Sequence, residues 1–473
     1  MPIRKKGFGF PLRLCNNLLC RKVFLVGDYI QRFQMSTKAD TSKATRPGNY
    51  FISNYPPFSF WSENENSQVE AAYQQQSAPD VPLGLYHHIP FCRKRCHFCY
   101  FRVYTDKSAD DIKGYLDSTL KELEMMARKP LIEGRKPEFI YFGGGTPSYL
   151  SAKQLRTLTD QMKAILPWDD AKEVAFECEP GTLNAGKLAA IKDIGVTRLS
   201  LGIENFDDHI LEINGRAHRS KEVVRAYERA VAENFDQINI DLISGMIEET
   251  EENWQRNIEK TIELSPDSVT IYQMEIPYNT TIYREMKDAG KLIAPVADWA
   301  TKRRWVKEAF AELESAGYTI SSGYTAVKNP DKTKFIYRDS LWGGADLLGL
   351  GVASFSHAAG LHYQNFTEID DYTKAINAGE MPTKRSFRTT TEQRMIREFI
   401  LQMKLGRVEG SYFEEKFGVD VLSRWNEELG QLNSEGLLQV GDGAVSLTRD
   451  GLLCVDNILH DFFLPEHRTD QLV

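Results

Sequence analysis

The sequence predicts an α/β fold, because strand-like and helix-like segments alternate from residue 83 onward. About six strand–helix units follow one another, and such repeats predict parallel strands joined by right-handed crossovers. A second observation is a cluster of three cysteines directly after the first predicted strand. The periodicity by itself fits either an open partial barrel or a flat doubly wound sheet.

The predicted elements of this region follow in chain order. A strand at 83–88 leads into the cysteines, and the helix predicted at 110–127 has apolar residues near a 3.6-residue period. Later strands are predicted at 139–142, 174–178, 198–203, 237–243 and 268–274, with helices at 152–165, 184–194, 221–234 and 250–264. A long helix at 298–316, with Asp298 as its N-cap, would close the region.

The pattern changes towards the C-terminus. Strands and a glycine-rich run occupy 318–360, and helices are predicted at 390–403, 411–417, 422–433 and 450–463. Two short strands flank Gly441-Asp442-Gly443, and helices followed by such a hairpin predict a winged-helix-like domain. Winged helices commonly bind DNA, but acidic residues such as Glu414 and Glu427 are mixed with the basic ones. We therefore expect a lid or packing role.

The N-terminal residues differ from the rest in composition. The first 34 residues hold seven Lys and Arg residues against a single acid, Asp28. A basic, acid-poor start is typical of targeting segments, but no long apolar core or small-residue cleavage site accompanies it. We expect a disordered or spurious extension, followed at 40–80 by a poorly structured stretch rich in Ser, Pro, Asn and Gln.

Composition excludes several classes of function. The net charge is −8, which does not favour a nucleic-acid partner, and no apolar run has the length of a membrane span. Seven cysteines, three of them clustered, do not resemble a secreted disulfide framework. We expect a cytoplasmic protein.

The three clustered cysteines are Cys92, Cys96 and Cys99, in the spacing C-x3-C-x2-C without a fourth cysteine. Clustered cysteines are often zinc ligands, and His97 is positioned to complete a Cys3His site. Three thiolates can also hold three irons of a cubane iron–sulfur cluster and leave the fourth iron open. The spacing by itself leaves both alternatives open.

Polar residues and glycines recur where the predicted strands end. The turn at 143–147 follows the second strand, and Glu177, Glu204 and Asp241 lie on the third, fourth and fifth. Ligands of parallel α/β folds bind beyond the C-terminal ends of the strands, so all these groups would face one mouth. A single acid is more often a surface or ion-paired residue, but the shared strand-end placement reverses that expectation.

Together these motifs resemble the radical S-adenosylmethionine (SAM) enzymes. Within them the chain is similar to the oxygen-independent coproporphyrinogen III oxidase family, which includes a haem chaperone branch. The resemblance runs from about residue 83 to 465. Its motifs are Tyr86–Cys99, Gly143–Pro147, Glu177–Pro180, Arg198–Phe206 and Asn239–Gly245.

The resemblance implies a partial (β/α)6 radical-SAM barrel at 81–300 and a barrel-closing α+β segment at 301–385. An extension at 1–80 would precede these, and the winged-helix-like domain would occupy 386–473. The implied cofactors are a 4Fe-4S cluster and one or two molecules of SAM. The cluster would bind to Cys92, Cys96 and Cys99, and SAM to Tyr86, Phe98, Gly144, Gly145, Thr146, Glu177, Glu204, Arg216 and Asp241. Phe98 fits a core phenylalanine equally well.

Four departures from the family pattern bear on the reaction. Phe101 stands where the oxidase branch has an extra cysteine, and phenylalanine there is typical of the chaperone-like branch. The segment 337–342 occupies the place of an HNxxYW motif, with Tyr337 in place of the haem-linked histidine. Glu204 replaces a glutamine, and Gly245–Glu248 replaces a Gly-Leu-Pro-x-Gln run.

Three hypotheses follow from the resemblance. The first is an oxidoreductase in which SAM is reductively cleaved to a 5′-deoxyadenosyl radical that acts on a tetrapyrrole. The second is a haem chaperone that keeps the cluster, and the third is a relative that methylates or opens a haem-type substrate. Arg93, Lys94, Arg95 and Arg102 flank the cysteines, either as a docking face for a reduced flavodoxin- or ferredoxin-type donor or as a solvated loop.

Overall fold

A twelve-stranded sheet organises the protein in the computed structural model, which describes residues 44–468. Its strands are β1 Leu83–Ile89, β2 Phe139–Gly144, β3 Glu173–Cys178, β4 Arg198–Glu204, β5 Gln237–Ser244, β6 Ser268–Gln273, β7 Thr319–Ile320, β8 Thr325–Val327, β9 Asp346–Leu350, β10 Phe355–Ala358, β11 Leu361–Asn365 and β12 Thr383–Arg388. The spatial order is β12-β11-β10-β9-β1-β2-β3-β4-β5-β6-β8-β7. All pairs from β9 to β6 are parallel, and the flanking pairs are antiparallel.

The helices of the described chain connect these strands and form the C-terminal region. They are α1 Ser67–Tyr73, α2 Ala109–Ala127, α3 Ala152–Ile165, α4 Ala185–Asp193, α5 Asp208–Ile213, α6 Ser220–Ala232, α7 Glu251–Leu264, α8 Thr281–Asp288, α9 Trp299–Ser315, α10 Ile336–Trp342, α11 Ile369–Ala378, α12 Thr391–Met403, α13 Gly410–Phe417, α14 Val421–Arg424, α15 Asn426–Ser434, α16 Arg449–Leu453 and α17 Val455–Ile458.

Local chemistry explains where the connecting helices begin and which face they bury. Ser108 and Asp111 form a reciprocal capping box at the start of α2, which satisfies two backbone donors that the helix leaves open. Helix α6 buries Val223, Ala226 and Ala230, whose spacing places them on one face towards the sheet core.

The C-terminal region has a second, smaller sheet. Its strands are β13 Arg407–Glu409, β14 Leu438–Gly441 and β15 Ala444–Leu447, paired antiparallel in the order β13-β15-β14. The β14–β15 turn is Asp442-Gly443, and both residues have the positive φ that a tight two-residue hairpin requires. A separate apolar cluster joins this sheet to α12–α15 and α17.

The predicted α/β fold with parallel strands and a helical C-terminal region is confirmed. The six predicted parallel strands are present, and β9 adds a seventh, paired with β1, among the described residues. The predicted helix at 450–463 is wrong as a continuous element, because α16 ends at Cys454, whose φ of −119° is not helical. The helix predicted at 422–433 is likewise divided, at Trp425.

The expectation that residues 40–80 lack structure is wrong for 45–80. The leading segment, residues 45–61, buries Ile52, Tyr55 and Trp61, and the first two of these belong to the C-terminal apolar cluster. Lys404 Nζ donates to the Ile52 carbonyl at 2.6 Å, across 352 residues of chain. The polar composition hid this order because distant residues supply the stabilising partners. The prediction for residues 1–43 lies outside the described residues.

From Thr45 onward the described chain forms one compact unit, so the domain boundaries at 300 and 385 remain predictions. Among residues 44–468, no helix has both the length and the apolar character needed to cross a membrane.

The N-cap of α9 gives a test of the fold. Asp298 Oδ1 accepts a hydrogen bond from the Thr301 backbone N–H at 2.7 Å, as the sequence predicts. We expect Asp298→Ala to lower the free energy of unfolding by about 1 kcal/mol, measured by urea denaturation. Asp298→Asn keeps the acceptor and should lose less than half of that; an equal loss in both variants would show that charge, not capping, matters here.

Candidate functional site

The cysteines lie in a loop that leaves the C-terminal end of β1. Backbone hydrogen bonds fasten this loop, since Cys92 N–H donates to the Tyr104 carbonyl at 3.0 Å and Tyr104 N–H donates to the Pro90 carbonyl at 2.7 Å. His97 N–H donates to the Asn214 carbonyl at 3.0 Å, which ties the middle of the loop to the end of α5. The three thiols are therefore presented by backbone that is anchored at several points.

Two donors contact the thiol sulfurs directly. The Thr146 hydroxyl donates to Cys92 Sγ at 3.3 Å, and Arg216 Nη1 donates to Cys96 Sγ at 3.3 Å. Burial raises the pKa of the Cys92 thiol to about 11 and that of Cys99 to about 12. Metal binding requires thiolates, so a positively charged metal group must offset this cost of deprotonation.

The described residues give the Cys3His zinc alternative no geometric support. Among residues 44–468, no three His, Cys, Asp or Glu side chains are arranged to hold a single metal ion. His97 Nδ1 is 3.0 Å from the Ile213 carbonyl oxygen. Three thiols without a fourth remain the number that holds a cubane cluster with one open iron.

The turn after β2 approaches the cysteine loop at a distance that only glycine permits. A Cβ on Gly145 would lie 2.8 Å from the Ile89 carbonyl oxygen and 3.1 Å from Cys92 Sγ. A Cβ on Gly144, whose φ is +109°, would lie 2.5 Å from the His88 ring. The backbone of this turn therefore lines the site with no side chain in between.

Three carboxyl groups from neighbouring strands meet in the same cavity. Glu177 accepts hydrogen bonds from the Tyr141 hydroxyl at 2.6 Å and from Gly144 N–H at 3.1 Å. Glu204 lies at a β-bulge with a φ of +66°, a strained conformation for a residue with a side chain. Asp241 accepts from the Asn239 side-chain amide at 2.9 Å.

Burial raises the pKa of all three carboxyls, and that of Asp241 to about 8. Arg216 Nη1 is 3.5 Å from Glu204 Oε1, and both of these side chains are nearly buried. The charge of Arg198 partly offsets the rise in the pKa of Glu177 and of Asp241. A cationic ligand beside the three acids would favour their carboxylate forms further.

The structure brings together all but one of the residues predicted for the site. A cavity of about 430 Å³ is lined by Cys92, Cys96, Phe98, Cys99, Gly144, Gly145, Thr146, Glu177, Glu204, Arg216 and Asp241. Tyr86 instead lines a second cavity of about 770 Å³, where its hydroxyl is 3.0 Å from His88 Nδ1. The two cavities share a wall that includes Tyr100, Phe101 and Glu177.

Two contributions were not predicted from the sequence. Arg93, inside the cysteine loop, donates to both carboxylate oxygens of Glu179, at 3.1 and 3.0 Å. Burial would raise the pKa of Glu179, but hydrogen bonds from His218 and Arg93 lower it to about 2. His218 Nδ1 lies 3.0 Å from Glu179 Oε1, and Arg93 adds a charged partner that fixes the loop to the residue that follows β3.

Glu275 is the second missed residue, and it lines both cavities just beyond β6. Its Oε2 accepts from the Tyr50 backbone N–H at 3.0 Å, and burial raises its pKa to about 7. The strand-end rule that identified Glu177 and Asp241 extends to this sixth strand and could have found it. The contact with the leading segment had no signal in the sequence.

Comparison with known proteins agrees with this geometry. Residues 86–261 match the Radical SAM superfamily. The chain is 29% identical to the heme chaperone HemW of Bacillus subtilis over 80% of this chain and 98% of that protein. It is 27% identical to the oxygen-independent coproporphyrinogen III oxidase of Pseudomonas aeruginosa, over 93% and 96%. The solved coproporphyrinogen III oxidase (HemN) of Escherichia coli aligns with a TM-score of 0.74 at 25% identity, covering 87% and 96%.

The match to the Radical SAM superfamily implies a 4Fe-4S cluster and SAM, and the residues present fit both groups. Three thiols meet at one end of the smaller cavity, which suits a cluster with one open iron. SAM carries a sulfonium and an ammonium besides its carboxylate. The three acids and Arg216 therefore match its charges.

The raised pKa of Asp241 gives a stability test on the ligand-free protein. A folded pKa of about 8, against an ordinary 3.8, means that its stabilising contribution is present below about pH 4 and is lost as the pH rises through 8. Asp241→Asn removes this loss, so the variant should gain stability over the wild type between pH 5 and 9, by at most about 1.4 kcal/mol per pH unit. Urea denaturation at three pH values measures the gain.

A matched control is Asp160→Asn, an exposed aspartate on α3, whose pH profile should follow the wild type. Parallel profiles for wild type and Asp241→Asn would contradict a protonated Asp241 in the ligand-free cavity.

Proposed function

We propose that this chain, which carries a radical SAM domain and is homologous to oxygen-independent coproporphyrinogen III oxidases and a haem chaperone, is an oxidoreductase acting on a tetrapyrrole. The observation that carries the proposal is the shared wall between the cysteine-lined cavity and a larger, aromatic-lined one. Tyr100, Phe101 and Glu177 would then border both the SAM site and a ligand in the larger cavity.

In this proposal Cys92, Cys96 and Cys99 hold the cluster. When bound, the cluster supplies the electron that cleaves SAM into methionine and a 5′-deoxyadenosyl radical. Arg216 would bind the SAM carboxylate through its planar fork while keeping its hydrogen bond to Cys96 Sγ. Gly144, Gly145 and Thr146 would place backbone groups against the methionine part.

The acids would orient the rest of SAM. Glu204 lines only the smaller cavity and Asp241 lines both, and a cationic ligand would favour the carboxylate form of each. Glu177 lines both cavities, so it would contact this SAM or a second SAM beside it. Phe98 packs against the apolar cluster that contains Ile243, a surface suited to adenine.

The larger cavity has the size and lining for a tetrapyrrole. Its volume is about 770 Å³, and its aromatic lining residues are Phe51, Phe58, Tyr86, Tyr100, Phe101, Tyr141, Tyr272, Tyr278, Tyr324, Phe335, Tyr337, Trp342, Phe355 and Phe463. Tyr100 and Phe101 stack on each other with ring centroids 4.5 Å apart and stand in the shared wall. Flat aromatic surfaces of this kind favour a flat or ring-shaped apolar ligand.

An electron donor would approach the cysteine loop from outside. Three of its basic side chains hold the loop, since Arg93 binds Glu179, Arg95 binds the Cys99 carbonyl and Arg102 binds Glu368. Lys94 is exposed, and the described chain gives it no ion pair. We propose that an acidic flavodoxin- or ferredoxin-type donor docks at this face.

A haem carrier is the second candidate, and Tyr337 favours it. This tyrosine occupies the place of a haem-linked histidine in the chaperone-like pattern, and it lines the larger cavity without a hydrogen bond to the described chain. Its ring lies 4.6 Å from that of Tyr141. Tyrosine can ligate haem iron, although burial raises the pKa of Tyr337 and so opposes the phenolate.

Cys96→Ala tests the cluster. With one of three thiolates removed, we expect the anaerobically reconstituted protein to lose its brown colour, most of its iron and SAM cleavage. Iron analysis and measurement of 5′-deoxyadenosine provide the readout. Cys454→Ala, which removes a free cysteine outside the loop, should retain the iron. Unchanged iron in Cys96→Ala would contradict the cluster assignment.

Product analysis separates the candidate functions. Incubation of the reduced protein with SAM and coproporphyrinogen III should yield a vinyl-bearing product together with methionine and 5′-deoxyadenosine. Stoichiometric haem binding without product, weakened by Tyr337→Phe, would instead establish the carrier. A methylated or ring-opened product would point to a third radical SAM reaction.

A further inference from the structure

Three arginines line the larger cavity, and they differ in how far their guanidinium groups are already bound by other residues. Arg198 is neutralised inside the protein, because its Nη2 is 2.7 Å from Glu173 Oε1 and both side chains are almost fully buried. The guanidinium of Arg102 is turned to Glu368 and to the Tyr104 hydroxyl. These two arginines have their carboxylate partners already.

Arg338, on α10, keeps one edge of its guanidinium free. Its Nε donates to Asp339 Oδ1 at 2.7 Å, and its Nη1 reaches the Thr325 hydroxyl only at 3.4 Å. Nη2 has no hydrogen bond within the described residues. The two Nη groups form the edge that a carboxylate can bind with two parallel hydrogen bonds.

Aromatic rings hold this guanidinium in place. Arg338 Cζ lies 4.8 Å from the Phe335 ring centroid and 5.4 Å from that of Trp342, and both rings line the cavity. The side chain is only 15% exposed. A fixed, partly desolvated guanidinium loses little conformational freedom on binding, and its attraction to an anion is weakly screened.

We propose that Arg338 binds a peripheral carboxylate of the ligand in the larger cavity and so selects carboxylate-bearing rings over neutral ones. This inference rests on the proposed tetrapyrrole function and adds a specificity-determining residue to it. Asp339, which is 43% exposed, binds Arg338 through Nε and not through the two Nη groups. The Nη edge therefore stays available to a ligand. Since Glu177, Asp241 and Glu275 also line the cavity, a carboxylate would avoid their end and turn towards Arg338.

A comparison of two ligands tests the proposal. Coproporphyrin III and its neutral tetraamide are titrated into the reconstituted full chain, and affinity is read from porphyrin fluorescence. We expect the wild type to prefer the acid, and Arg338→Gln to bind the acid about 10- to 100-fold more weakly with little change for the amide. Arg338→Lys keeps the charge but not the fork and should fall between them.

Arg407→Gln is the matched control, because Arg407 likewise binds a neighbouring carboxylate, that of Glu409, through its Nε but lines neither cavity; it should keep the wild-type preference. Retained iron and an unchanged melting temperature show that Arg338→Gln is folded. If Arg338→Gln keeps the wild-type ratio of the affinities for the acid and the amide, the role of Arg338 is overturned while the proposed function still stands. A wild type that binds neither porphyrin would overturn the proposed function, and the inference with it.

Discussion

Three buried carboxyl groups that share one cavity are the constraint on which the candidate cofactor site depends. Glu177, Glu204 and Asp241 come from successive parallel strands, so the sheet itself enforces their proximity. Burial raises the pKa of all three carboxyls, that of Asp241 to about 8. A cationic ligand opposes this shift, because it stabilises the carboxylate forms. The sulfonium and ammonium groups of SAM carry charge of that sign.

The same strand ends explain why the cysteine loop is held so firmly. A cluster bound by three thiols is anchored on one side only, so the protein must fix the loop by other contacts. Arg93 does so through Glu179, which directly follows the strand that carries Glu177, and Arg216 contacts both Cys96 Sγ and Glu204. These contacts connect the cysteine loop to the acids, so a displacement of the loop would also displace the acids.

The sequence predicted those features of the fold and of the site that follow from periodicity and from the positions of strand ends. The parallel strands and the convergence of Glu177, Glu204 and Asp241 follow from local pattern plus one rule of α/β topology. Prediction failed where the residues that contact each other are remote in sequence. The leading segment is ordered by contacts such as Lys404 with Ile52, and no local signal reports such contacts. Tyr86 was placed with SAM, but the pleat of β1 points its side chain into the larger cavity.

The departures from the family pattern are unevenly distributed between the cavities. Tyr337 and Arg338 line only the larger cavity, and Phe101 stands in the shared wall. Glu204 alone lies on the cofactor side, where its negative charge remains compatible with a cationic ligand. Each cavity has lining residues that the other lacks. Substitutions in the larger cavity can therefore change which ligand it prefers while the residues around SAM are kept. Most of these departures therefore gather at the larger cavity, to whose lining α10, the leading segment and the cysteine loop contribute.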